Sequence, residues 1–300
     1  MLQVQLTFKY KTFFYSFIRG GIITPSFHLD IIYFKNILFR FLFFVLIYGA
    51  NAQEIEFSNE SFKNGTITNC ELLKEQEFLE YNIKVGLISV GEINFRKYNC
   101  KNSNLTHAEI KGYTKGISKL FFNLIVNYKS FFLKKKFTPI KFIKSITEGD
   151  EQKLEEIYFN DNLKKAYYQN KGDDKGRFFI YEKELFDLVS GIYFFRSNMD
   201  IIFKDSSLFN MPYLHNGSGI KNLKIELIGD DKIKISNVFL KSKKFSCVFE
   251  STNKLLPKKG EIYFWISDDQ YNLPLCFETK LRLSNVKIEL KNLSDHLDLK

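Results

Sequence analysis

The chain has 300 residues, enough for one large domain or two small ones with a sizeable core. Aromatic residues make up 17%, with 33 Phe against 5 Pro, and since Phe, Ile, Asn, Lys and Tyr share AT-rich codons, base composition accounts for much of that excess. The net charge of +10 is dispersed, with five bases and one acid in residues 1–52 and 39 bases against 33 acids in the rest, which argues against a nucleic-acid groove and leaves Lys134–Lys136 as a solvated strand end.

Residues 1–30 have no clear period and no capping residues. They read as an upstream extension, with translation expected to begin near Ile31 to Ile37. "FKNILFRFLFFVLIYGANAQ" has the three parts of a secretory signal: Lys35 and Arg40, the apolar run Phe41 to Tyr48, and an A-x-A site at Ala50 to Ala52. It predicts a signal peptide over 31–52, cleaved between Ala52 and Gln53. The apolar run falls short of the roughly 20 residues that span a bilayer. An uncleaved anchor is the competing reading. Export to the periplasm and a soluble mature chain are the expectations.

Residues 53–77 are polar and Asn-rich, and read as an irregular lead-in. A single β-rich domain is expected over 78–292, with a tail at 293–300. "EFLEYNIKVGLISVGEINFRKY" reads as two strands, with Gly86 and Gly91 allowing a bend or bulge. "NLTHAEIKGYT" is a third. A helical turn at Ile117 to Phe122 and a strand from Leu124 to Leu133 follow. "TPIKFIKSITEG" and "EQKLEEIYFN" alternate around a turn at Gly149 and Asp150, and "LKKAYYQN" is the next strand.

The period then changes. Leu185, Leu188, Val189, Ile192 and Phe195 fall on one helical stripe, predicting a main helix at about 183–196 with these residues as its core face. Alternation returns in "LKIELIGDDKIKIS", read as a hairpin pairing Leu223, Ile225 and Leu227 with Ile233 and Ile235 across "GDD". "FSCVFEST", "GEIYFWIS", "LPLCFETKLRL" and "VKIEL" complete the set. Apolar-in, polar-out alternation implies antiparallel strands with one buried face. The expected fold is mainly β (α+β): a strongly curved antiparallel sheet or incomplete β-barrel, with the main helix packed on it.

Chemistry is sparse. Dinucleotide, P-loop, zinc-protease and nucleophile-elbow motifs are absent, and no cofactor or metal is expected. His107 reads as a strand-end or surface residue, and His215 as part of a Gly-rich loop. Cys70, Cys100, Cys247 and Cys276 allow three pairings, and buried free thiols fit equally well. The adjacent acids in "FWISDDQYNLPL" could form an acid–base pair only where the chain turns, because neighbours on a strand point to opposite faces. "SDDQYN" is rich in turn formers. Asp268 and Asp269 therefore read as a structural turn, with Asp268 accepting backbone N–H groups and Pro274 opening the next strand.

"EFLEYNIKVGLISVGE", "FFNLIVNYKSFF" with "TPIKFIKSITEG", "DLVSGIYFFRS" and "FWISDDQYNLPLCFETKLRLSNVKIEL" together resemble an exported bacterial family, common in Bacteroidetes, catalogued as domain of unknown function 3108. The likeness covers about Phe78 to Leu290, and the last block is its most specific part. The family's architecture resembles the open half-barrels of periplasmic lipoprotein carriers. The family has no established activity to carry over, and the preferred reading is an uncharacterised, non-enzymatic envelope protein whose concave, Phe-rich side takes a lipid or a hydrophobic partner segment. The alternatives are a structural or assembly module with a filled core, and a cell-wall hydrolase using acids around Asp268.

Overall fold

The computed structural model describes residues 72–291, except 102–103, 117, 122, 174–175, 216, 218, 236, 250–261 and 281–284. The expected signal peptide, the Ala52–Gln53 cleavage site, most of the lead-in, Cys70 and the tail lie outside the described residues.

Among the described residues, fourteen strands form one antiparallel sheet. They are β1 (Leu72–Val85), β2 (Ile88–Cys100), β3 (Leu105–Thr114), β4 (Leu124–Leu133), β5 (Pro139–Glu148), β6 (Glu151–Asn160), β7 (Lys165–Asn170), β8 (Arg177–Ile180), β9 (Leu208–Leu214), β10 (Ile220–Ile235), β11 (Val238–Phe249), β12 (Ile262–Ser267), β13 (Pro274–Lys280) and β14 (Asn285–Leu290). The strand order is β8-β7-β6-β5-β4-β3-β2-β1-β14-β13-β12-β11-β10-β9. Two meanders thus run outward from a central β1–β14 pair, where Tyr81 faces Leu290 and Val85 faces Val286.

Two helices are present among the described residues, the single turn α1 (Ser118–Phe121) and the main helix α2 (Leu188–Ile202). Helix α2 packs against β3, β4 and β9 at once. β9 sits far from β3 and β4 in the sheet order, so the sheet must curl around the helix. The sheet does not close: β8 and β9 are its two ends. The gap is narrowed by Phe186, which bridges in parallel to Tyr213 on β9, and by Arg177 of β8, which donates to the Gly217 carbonyl at 2.9 Å. The expected incomplete barrel with a helix on its inner face is the observed fold.

The core lies between α2 and the inner face of the sheet. Phe195 meets Phe245 at 5.4 Å and Phe264 at 5.8 Å, and Phe245 stacks on Phe264 at 5.0 Å between ring centroids. Phe132 stacks on Tyr193 at 5.9 Å, and Phe186 on Phe194 at 4.6 Å. Edge and stacked ring pairs of this kind add to the area they bury.

Three expectations are corrected. The first β-strand starts at Leu72, so the ordered domain begins before residue 78. The main helix begins five residues later than read, because buried Asp187 caps it: its Oδ1 accepts the Val189 and Ser190 N–H groups, and Ser190 Oγ accepts the Asp187 N–H. Finally, "GDD" is not a turn. β10 runs straight through it with a bulge between Leu227 and Gly229, and Gly229 takes φ +143 there. The reversal comes later, where Ile235 pairs with Val238.

Candidate functional site

Two charged clusters sit on the inner face, where a sheet lining would otherwise be apolar. The first joins the helix to the sheet. Arg196 donates to both Glu77 oxygens, at 3.0 and 2.8 Å, and Tyr193 donates to Glu77 at 3.0 Å. This bidentate geometry is the strong form of the ion pair. Burial pushes the Glu77 carboxyl up, but the Arg196 guanidinium and its hydrogen bonds outweigh that and hold the pKa down at about 2. Arg196 Nε also donates to the Asn272 carbonyl at 2.9 Å, and Asn272 Nδ2 returns a bond to the Arg196 carbonyl at 2.9 Å. Tyr81 donates to the Pro274 carbonyl at 2.8 Å. The β12–β13 turn is thereby fastened to the helix.

The second cluster lies near the gap between the sheet ends. The inward row Leu79, Phe95, Ile110 and Tyr128 continues across β5 and β6 as Lys144 and Glu155. Lys144 is 1% exposed and reaches both Glu155 oxygens, at 3.2 and 3.3 Å. Burial lowers the Lys144 ammonium to about 8, with Glu155 working against that shift. Buried His215, on the loop after β9, is pulled down to about 4 by burial and then by the nearby Lys144 charge.

An amine near pKa 8 beside a carboxylate is the usual equipment of a nucleophilic or basic lysine. Here it is closed off, since Lys144 is almost without solvent access and its charge is matched in place. The cluster is a clasp between β5 and β6, with His215 of the β9–β10 loop nearby.

The structure separates the two acids of "FWISDDQYNLPL". Asp269 Oδ1 accepts the Ser267 hydroxyl at 2.9 Å and the Tyr271 and Asn272 N–H groups at 2.8 and 3.2 Å. Ser267 Oγ accepts the Leu273 N–H at 2.8 Å. Asp268 instead pairs with Lys243 at 3.4 Å. The residue that holds the reversal is Asp269, not Asp268, because only its side chain lies over the N–H groups of residues two and three further on. Pro274 opens β13 as expected.

Of the predicted helix face, Val189 and Phe195 are buried in α2, Leu185 is buried ahead of its N-terminus, and Leu188 and Ile192 are half-buried. Tyr193, Arg196 and Met199 complete the buried face and were not anticipated. A charge on the apolar stripe, Arg196, was the available signal. For Lys144 and Glu155 the signal was a charge in step with inward Phe142, Ile146 and Ile157. His107 is not a surface residue: it is 6% exposed on the sheet face away from the helix, stacked between Tyr98 and Phe131 at 5.8 and 4.7 Å, and burial lowers it to about 4. Cys100 is disulfide-bonded, whereas Cys247 and Cys276 are free, buried, and pushed up to about 12. Among the described residues, no helix is long and apolar enough to cross a membrane.

A family model described as "Protein of unknown function (DUF3108)" matches residues 80–291. No curated protein matches the chain. Among solved structures, the chain is similar to the β-barrel-like protein of domain of unknown function DUF1849 from Brucella abortus. That likeness has 5% sequence identity and a TM-score of 0.47, covering 74% of this chain and 98% of the other.

Proposed function

Because this chain belongs to the DUF3108 family, whose description carries no activity, we propose from its geometry that it is a non-enzymatic, exported protein of the cell envelope. It acts as a structural or assembly module with a filled core. The observation that carries this reading is the position of α2. The helix occupies the concave face that a lipophilic ligand would need, and Phe195 lies against Phe245 and Phe264. A carrier site needs an apolar hollow, and here the chain's own rings meet one another. The closed state of Lys144 and the turn role of Asp269 support the non-enzymatic part. The bonded state of Cys100 supports export, since disulfides persist in oxidising compartments.

Native mass spectrometry of the protein purified from its own host tests the reading. The expected spectrum shows the polypeptide alone. One lipid per chain, displaced when Phe195→Trp enlarges the helix side chain, would overturn it in favour of a concave carrier site.

A further inference from the structure

The β10–β11 ribbon extends beyond the rest of the sheet. β9 pairs with β10 only over Ile220–Glu226, and β12 pairs with β11 only over Ser242–Ser246. From Lys232 to Ile235 and from Val238 to Lys241 the two strands pair with each other and with no other described strand. At about 3.4 Å per residue this arm is roughly 10 Å long. An isolated two-stranded ribbon is marginal in water, so the side chains that this free end exposes need a reason.

Its two faces differ in kind. Register places Ile233 opposite Leu240 and Ile235 opposite Val238 on one face, where Ile235 is buried and Ile233 and Leu240 are half-buried. The other face carries Lys232 opposite Lys241, and Lys234 opposite Phe239. All three lysines are exposed, and Phe239 is 70% exposed with Lys234 Nζ 5.7 Å from its ring centroid. Asp230 is the one acid on this face, at the root of the arm. Lys243, also at the root, is engaged by Asp200 and Asp268 at 2.8 and 3.4 Å.

Lysines alone would serve to keep the ribbon edges from pairing with other chains. A phenyl ring left open among them works against that purpose. A phenyl flanked by ammonium groups on long stems is the arrangement that settles at a bilayer interface, with the ring among the acyl chains and the ammonium groups on lipid phosphates. We propose that the lysine and Phe239 face of the β10–β11 arm docks on the surface of an anionic phospholipid bilayer. This goes beyond the assembly reading and does not depend on it.

The test uses the full chain and vesicles of phosphatidylcholine that contain either one-third brominated phosphatidylglycerol or one-third brominated phosphatidylcholine. Phe239→Trp puts a reporter on the arm, and the parent protein, whose single tryptophan Trp265 is buried, is the control. The reporter's emission is expected to be quenched by the anionic vesicles, and the parent's to stay unquenched. Each lysine near such a surface is worth roughly fivefold in affinity, so Lys232→Glu, Lys234→Glu and Lys241→Glu together should weaken binding by on the order of a hundredfold or more. Quenching should also fall at high salt. Melting temperatures within a few degrees of the parent show that the variants still fold. Should the triple variant unfold, the salt dependence of the Phe239→Trp signal decides alone. Equal quenching by brominated phosphatidylcholine, no quenching by either vesicle, or tighter binding of the arm to a DNA duplex than to anionic vesicles would overturn the proposal.

Discussion

Replacing Glu77 by Gln removes the negative half of the buried pair with Arg196 while keeping the shape. Two estimates of the cost agree. The carboxyl goes from an ordinary value of 4.5 to about 2 on folding, and each unit is about 1.4 kcal/mol, so its interactions are worth about 3 kcal/mol at neutral pH. Leaving a buried charge without its partner costs roughly 3–5 kcal/mol on general grounds. For a domain of this size each kcal/mol lowers the melting temperature by about 2–4 °C, so the variant should melt about 6–12 °C below the parent. The sign of the pH dependence follows from the lowered value. The stabilisation is complete above pH 4.5 and is lost as pH falls through about 2, so the gap should shrink to roughly 1–1.5 kcal/mol at pH 3. Urea unfolding followed by circular dichroism at pH 7 and pH 3 measures both. The double variant Glu77→Gln, Arg196→Met should recover part of the loss, because it removes the stranded charge. A single variant within about 0.5 kcal/mol of the parent at pH 7, or a gap that stays constant down to pH 3, would refute the reasoning.

Asp187 works in the opposite direction. Burial raises its carboxyl to about 6 against the hydrogen bonds it accepts, so its contribution is largest below pH 3.8 and is lost as pH rises through 6. Asp187→Asn should therefore gain on the parent by roughly 2–3 kcal/mol between pH 4 and pH 7, read from paired unfolding curves. Asp269→Ala should cost about 1–2 kcal/mol because it removes three hydrogen bonds that hold the turn, while Asp268→Asn, which touches only the half-exposed Lys243 pair, should fall within about 0.5 kcal/mol of the parent. Gly91→Ala should cost roughly 1–3 kcal/mol, since its added carbon would lie 2.7 Å from the Tyr113 carbonyl oxygen, which is backbone and cannot swing aside. Gly191→Ala should cost less, because its nearest neighbour is the movable end of Met211 at 2.8 Å.

Much of the fold was legible because strands with one buried face carry it in their alternation. Phe142, Ile146 and Ile157 announce which way β5 and β6 face. The turns were harder. Gly229 lies in "GDD", as apt for a reversal as any triplet in the chain, yet a bulge satisfied the same positive φ without reversing the strand. The helix start was misplaced because Leu185 continues the apolar spacing of α2, and the cap at Asp187 depends on Ser130 from a distant strand, which donates to it at 2.6 Å. The charged clusters were least legible. Glu77 and Arg196 are 119 residues apart, and no local pattern pairs them. A charge in register with apolar neighbours is a signal that something answers it, but only the three-dimensional arrangement names the partner.

The order of strands in the sheet also governs how the chain can be completed. Each outward meander pairs neighbours in sequence, so β1 through β8 can assemble as the chain emerges. The central seam is different. Tyr81 must find Leu290, on the last described strand, 209 positions further along the chain. Contacts that distant are slow to form and come after the local ones. Until β14 arrives, the inner edge of β1 stays open and the two halves remain separate. A chain delivered from one end would thus stay an unfinished sheet until β14 is through, and that strand would act as the keystone of the described sheet.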